Sequence, residues 1–450
     1  MSTLNVDKVD PNTGTALELG TSGDTITVPT GAGLTVVDEV KTNKVSPATG
    51  TAFALGDSGD TFTVPSGATI VNSGTATGFG ITASSFRPNV NPLIINGDMA
   101  VAQRTTSTAS VSSGANWVTD RYSFNIGTAG TWTLTREALT ADEAFEDGFS
   151  TAFKADNTTA NGSLSAGSYI QFHQKIEAQD LQLLNSGEST AEKVTIAFWV
   201  KATKTGTNII EIWVSDNSRA ISVAYTVDTT NTWEKKIIDI PADTAGTGID
   251  NNNGAGWTVI WWMAAGTDNT SGTLRTAWAS NAVSANRAVG QVNNADSTSN
   301  NFHITGVQLE VGEYTSSTIP PFQHESYGDN LARCMRYFQA PIYVTDSQGS
   351  AELYSIWGCG VYTASGYVRF PRPLPVEMRA NPSLQSTSGT NYFFISSGAN
   401  DEINDLTIHP DSNYKTAYVY NNDEASGTAG QAAVLMGNDA AAYAWLNAEL

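Results

Sequence analysis

Tryptophans set in alternating strand patterns are the residues of this chain best suited to chemistry, and that chemistry is the recognition of sugars. A pyranose has an apolar face of C–H bonds that stacks on an aromatic ring, while nearby amides and carboxylates take its hydroxyls. Trp199, Trp213, Trp261, Trp262 and Trp278 stand in or beside segments that read as strands. Trp199 and Trp213 fall on the faces opposite the aliphatic alternation, nearer solvent or a second sheet. Trp261 and Trp262 are adjacent, so in a strand one of them points outwards. Each is weighed against the commoner role of a sandwich tryptophan, which is core. Gln308 and Glu310 in VQLEVG carry groups that bind hydroxyls, although a closing strand would use them equally well for structural hydrogen bonds.

Other chemistries find less to work with. Paired carboxylates cleave glycosides when held at the right separation, and Asp142, Glu143, Glu146 and Asp147 cluster in TADEAFEDGF. A solvated acidic loop is the commoner explanation, there and at Asp401, Glu402 and Asp405. Asp250 and Asn252 in DNNNG offer oxygen ligands beside a glycine turn, which raises a structural calcium. The later bidentate Glu of a calcium loop is missing. Four histidines, at 173, 303, 324 and 409, and two cysteines, Cys334 and Cys359, give neither a zinc site nor a disulfide framework. No nucleophile elbow, phosphate loop or HExxH occurs. The expectation is a binding protein, not an enzyme, with no cofactor.

Composition bounds the partners. A net charge of −21, from 44 acidic against 23 basic residues, supplies no basic stripe for nucleic acid. No apolar run approaches the roughly 18–20 residues of a membrane span, so no membrane insertion is expected. MSTLNVDKVD has no secretory leader pattern, which predicts synthesis in a cytoplasm and release by a route such as lysis.

The elements that must position these residues are strands. Thr, Ser, Asn and Gly are abundant, the profile of short strands joined by many turns. Residues 1–90 hold a repeat of period 36: VDKVDPNTGTALELGTSGDTITVP from Val6 returns as TNKVSPATGTAFALGDSGDTFTVP from Thr42. Each copy has too few large apolar side chains to close a core, and two copies are below the three or so that stacked repeats need. Burial supplied by identical chains wound round an axis would complete it. A Gly/Ser/Thr connector, 73–90, follows.

From 91 to 322 strand signals recur every 8–12 residues, and nine of the eleven tryptophans lie between Trp117 and Trp278. Val194–Lys201, Ile210–Val214, Ile221–Tyr225, Lys236–Ile240, Thr258–Met263 and His303–Leu309 form the series, which predicts a two-sheet jelly roll. Over 323–340 the period changes, and Leu331, Cys334, Met335 and Phe338 predict a short helix capped by Ser326 or Asp329. Its stripe suits either a trimer axis or the preceding sandwich. Residues 341–450 return to strands and form a small β-domain.

Three stretches resemble a family of phage tail fibres found mostly in phages of marine and cyanobacterial hosts: NPLIINGDMAVAQR (Asn91–Arg104) with DRY at Asp120–Tyr122, ITGVQLEVGEYTSSTIPPFQHESYGDNLARCMRYFQ (Ile304–Gln339), and VRFPRPLPVEMRANPSL (Val368–Leu384). AYAWLNAEL (Ala442–Leu450) is similar to the common fibre ending. The resemblance covers nearly the whole chain and is most specific in its middle motif. It implies an intertwined homotrimer in the virion, a shaft attached by its N-terminus to tail, nozzle or adaptor proteins, a jelly roll similar to carbohydrate-binding modules, and a β-sandwich tip. The implied role is host recognition through surface polysaccharide of lipopolysaccharide or O-antigen type. A fibre-borne glycan depolymerase and a purely structural virion spacer are the alternatives.

Overall fold

The computed structural model describes residues 92–343, 355–398 and 400–450. The 36-residue repeats and the connector lie outside the described residues. What is described is all-β, as the strand signals predict, and every regular strand pairing in it is antiparallel.

Eleven strands build the first sandwich: β1 (Ser107–Thr119), β2 (Tyr122–Ala138), β3 (Thr151–Thr159), β4 (Tyr169–Glu177), β5 (Val194–Ala202), β6 (Gly206–Val214), β7 (Arg219–Val227), β8 (Glu234–Ile240), β9 (Ala255–Ala265), β10 (Ala279–Ser280) and β11 (Asn301–Val311). Two single helical turns, α1 (Glu143–Glu146) and α2 (Thr267–Thr270), lie in the connections. The strand order is β10-β7-β6-β9-β4-β2-β3-β11-β5-β8, with β1 on β2. One ribbon becomes two layers because β2 changes partner midway. Its first half, Tyr122–Gly127, pairs with β4, and its second half, Thr131–Ala138, pairs with β3. Gly130 sits at the change with φ +84, where a Cβ would stand 2.3 Å from the Thr159 carbonyl oxygen, so only glycine fits.

The two layers close on aromatic rings. Phe153 of β3 stacks on Phe172 of β4 at 4.2 Å, and Phe198 of β5 meets Trp261 of β9 edge-on at 5.7 Å. Each buried ring contributes on the order of 1.5–3 kcal/mol by leaving water, and the ring pairs fix how the layers face one another.

Helix α3 (Tyr327–Met335) occupies the middle of the predicted helical stretch, and Ser326 caps it by accepting the Asp329 amide at 3.2 Å. Cys334 and Leu331 pack on Ile95, Val101 and Tyr337, on the sandwich side. Phe338 lies beyond the helix, at the start of a strand.

The C-terminal strands are β12 (Phe338–Ile342), β13 (Ile356–Ala364), β14 (Tyr367–Pro373), β15 (Ser383–Ser386), β16 (Phe393–Ser396), β17 (Asn400–Ile403), β18 (Thr407–Ile408), β19 (Thr416–Asn421), β20 (Ala432–Gly437) and β21 (Ala444–Asn447). They make a seven-stranded sheet, β17-β16-β20-β13-β14-β19-β18, and a three-stranded one, β12-β21-β15. Trp357, Phe370, Phe393, Leu435 and Leu446 fill the space between them. These strands agree with the small β-domain expected over 341–450, and β12 begins inside the stretch expected to be helical.

The motifs quoted above converge on the seam between the two sandwiches. Asn96 binds the Val101 and Asp120 carbonyls, and Gln103 reaches the Phe338 carbonyl at 2.8 Å. Arg104 lies over the Phe338 ring at 3.5 Å and Arg121 over Tyr337 at 3.3 Å, and both guanidiniums engage Glu449. Lys175 donates to the Leu450 main-chain oxygen at 2.7 Å, and Arg336 forks onto the buried Glu177 at 2.7 and 2.8 Å. These residues join the first sandwich to the C-terminal strands.

Candidate functional site

Strand β5 alternates cleanly. Ile196, Phe198 and Val200 enter the core, which turns Thr195, Ala197, Trp199 and Lys201 to the outer face. Trp199 packs one side against a satellite cluster of Leu139, Phe149 and Trp233 and stays half-buried. Its indole N–H donates to Asp147 Oδ2 at 3.0 Å. Lys235, its register neighbour on β8, donates to the same oxygen at 3.2 Å and stands 5.9 Å from the Trp199 ring centre.

The loop carrying α1 is pinned over this face. Asp142 at its start pairs with Lys201 at 3.6 Å, and Lys201 lies 5.0 Å from the ring of Trp233. The acidic run therefore meets the tryptophan through Asp147, while Glu143 and Glu146 remain exposed. Beneath, His303 of β11 shares a hydrogen bond of 2.8 Å with Glu137. Burial holds the His303 imidazole below its ordinary pKa despite that carboxylate, and the His303 hydrogen bond lowers Glu137. The result is a half-buried indole with the Asp147 carboxylate at its N–H edge and the Lys235 ammonium over its ring. Such a surface can stack one face of a sugar ring and bind hydroxyls at its edge.

The other tryptophans divide. Trp213 is half-buried on the outer face of β6, with the Arg287 guanidinium 4.6 Å above its ring. Trp278 is also half-buried, and it donates to the Pro241 carbonyl at 2.6 Å and leans on Trp257. Trp261 and Trp262 are both fully buried, which corrects their candidacy as sugar platforms. Trp261 faces the main core. Trp262 does point outwards, but the segment 267–300 folds over it, burying it with Ile209, Ile260 and Ala288. Its N–H donates to Glu211, which is itself buried and paired with Arg275 and Arg287. A strand covered on both sides has no outward position, and nothing in the local alternation signals the cover.

Gln308 is corrected as well, whereas Glu310 is half-buried on the same strand. Gln308 is buried and donates to the Pro320 carbonyl at 3.0 Å, and both residues line a cleft of about 10 Å³ beside Asp98 and Phe322.

The Asp250–Gly254 turn closes on itself: Asn252 donates to Asp250 at 3.3 Å and accepts the Gly254 amide at 2.7 Å. Among the described residues, the carboxylates near enough to share a cation are instead Asp405, Asp423 and Glu424, whose oxygens lie within 4.8 Å of one another. Burial, then Asp423 and Glu424, raise the Asp405 pKa. Glu424 also accepts the Asn404 amide at 2.6 Å. The sequence reading names Asp405 only as part of a solvated acidic loop, because its partners lie eighteen or more positions along.

No family model matches the chain, and no curated protein matches it. Similar solved structures include the enzymatically active domain of tailspike protein 4 from bacteriophage CBA120, with TM-score 0.26 and 13% identity over 49% of this chain and 21% of that one. The chain thus spans about a fifth of the tailspike's length. A putative sugar-binding protein from Bacteroides thetaiotaomicron gives TM-score 0.26 and 13% identity over 49% of this chain and all of its own. A tandem CBM22 domain from Paenibacillus barcinonensis gives TM-score 0.22 and 9% identity, covering 77% and 97% of the two chains. What this chain does is argued from its own side chains.

Proposed function

We propose that this chain is a phage tail-fibre adhesin, a non-catalytic homotrimer of the virion that binds glycan on a bacterial surface. The observation that carries the reading is the half-buried Trp199 ring on the outer face of the first sandwich, with Asp147 at its N–H edge and Lys235 over its ring. The resemblance of the quoted motifs to tail fibres supports the setting. Three equal sites on a trimer would turn weak sugar contacts into useful avidity. The lysine pairing of Asp142 and Asp147 favours binding over hydrolysis, since each carboxylate is engaged in fixing its loop.

The test is binding of the labelled full chain to a panel of bacteria that includes marine cyanobacteria. Saturable binding to a narrow set of strains, lost after periodate oxidation of surface glycans, supports the adhesin. Absence of binding by a folded oligomer would favour the structural spacer, and release of reducing ends from host polysaccharide would favour the depolymerase.

A further inference from the structure

An antiparallel sheet with one face on a core ordinarily turns polar side chains to water on the other. The middle of the seven-stranded sheet of the second sandwich departs from this. Its inner face carries Phe393, Leu435, Trp357 and Phe370. Across the middle of its outer face, Phe394, Met436 and Ile356 stand in one cross-strand row, and Val434 and Cys359 are register partners in the next. Val361 follows on β13. Ile356 is 54% and Val361 42% exposed, although both are large and apolar. No ionised side chain stands among these outward positions of β16, β20 and β13, while residues 340–450 carry 11 acidic and four basic residues.

The charges come at the two borders. On one side Glu402 is the register partner of Phe394, and on the other Arg369 is the register partner of Val361. Exposed apolar side chains grouped without an ionised neighbour mark a contact surface. Two chains of net charge −21 repel over most of their surfaces at separations within a Debye length, so they approach best where charge is absent. A border of opposite sign on each side then matches the acidic edge of one copy to the basic edge of the next. Repeated round an axis, that head-to-tail match closes a ring.

We infer that this outer face is where copies of this chain pack against one another, three such faces lining an axis with Glu402 of one copy near Arg369 of the next. The inference rests on the oligomeric part of the reading above and not on its glycan part.

Cys359 supplies a local probe, because it is exposed on this face while Cys334 is buried. The full chain is treated with a short bifunctional maleimide and resolved by mass, beside light scattering of the untreated protein. A trimer by scattering with interchain product that Cys359→Ser abolishes is the expected result. Val361→Glu should lower that product by roughly tenfold or more, since it places an ionised carboxylate in the contact. Arg369→Glu should lower it too, and adding Glu402→Arg to that variant should restore it. Near-ultraviolet circular dichroism checks that each variant is folded. A wild-type monomer would overturn the oligomeric reading together with this face. An oligomer that gives no Cys359 product, or whose product none of the variants changes, would overturn this face alone.

Discussion

The indole nitrogen of Trp199 donates to the Asp147 carboxylate across 3.0 Å, although 52 positions separate the two residues. The bond joins the tryptophan with the strongest outward signal to the acidic run with the strongest local charge. It also fixes the ring's orientation. Trp199→Ala should lower affinity for the host glycan about tenfold or more while leaving folding largely intact, and Trp199→Phe should keep much of the affinity, because stacking needs the ring and not the N–H. Titration calorimetry with isolated surface polysaccharide measures both. Equal affinity in Trp199→Ala and wild type would remove this face from the reading.

Trp262 should behave in the opposite way. Trp262→Phe removes the N–H that serves the buried Glu211 and should cost about 1.5–3 kcal/mol of stability, the scale of a hydrogen bond to a charged group. Glycan affinity should not move. Urea unfolding and the same calorimetry check the two halves, and a binding defect without a stability defect would contradict the covered position assigned here.

Acid should weaken the first sandwich through His173. Burial, helped by Lys175 and Arg121, lowers its pKa from 6.5 to about 3. A folded-state pKa below the unfolded value means that the unfolded chain binds the proton first as pH falls. The stabilisation is therefore complete above about pH 6.5 and is lost progressively towards pH 3. Between pH 6.5 and 5 the loss should be roughly 1–2 kcal/mol from this one group. His173→Gln should flatten the slope by that amount in urea unfolding at the two pH values, and an unchanged slope would show that His173 is protonated in the folded protein.

Glu449 closes the seam between the sandwiches. It faces Arg104 and Arg121, both of which are buried, so Glu449→Gln leaves two desolvated guanidiniums short of a counter-charge. A loss of about 3 kcal/mol is expected. Calorimetry should then show the two cores melting at separate temperatures, whereas a single unshifted transition would mean that the seam is held mainly by Arg336–Glu177 and the stacked rings.

The family-like motifs point to a lesson about what such motifs encode. Asn96, Gln103, Arg104, Asp120, Arg121, Arg336 and Tyr337 stand in the stretches quoted for their resemblance to tail fibres, yet they assemble the seam and touch none of the candidate sugar platforms. Buried polar networks tolerate little change, because each member left unpaired carries a desolvation cost.

Alternation along Val194–Lys201 was enough to place β5 and the outward direction of Trp199, because strand geometry is local and has period two. Ser326 and the spacing of Leu331 and Cys334 were enough for α3, because capping and helical period are local too. Only the tertiary structure decided that Trp262 is covered, since that depends on segment 267–300 folding back over β9. It alone brought Asp147 to Trp199 and Glu449 to Arg121, as these contacts join residues 52 and 328 positions apart. The reason is physical: burial and ion pairing are properties of distance in space, and a sequence read along its length carries only the distances its local geometry fixes.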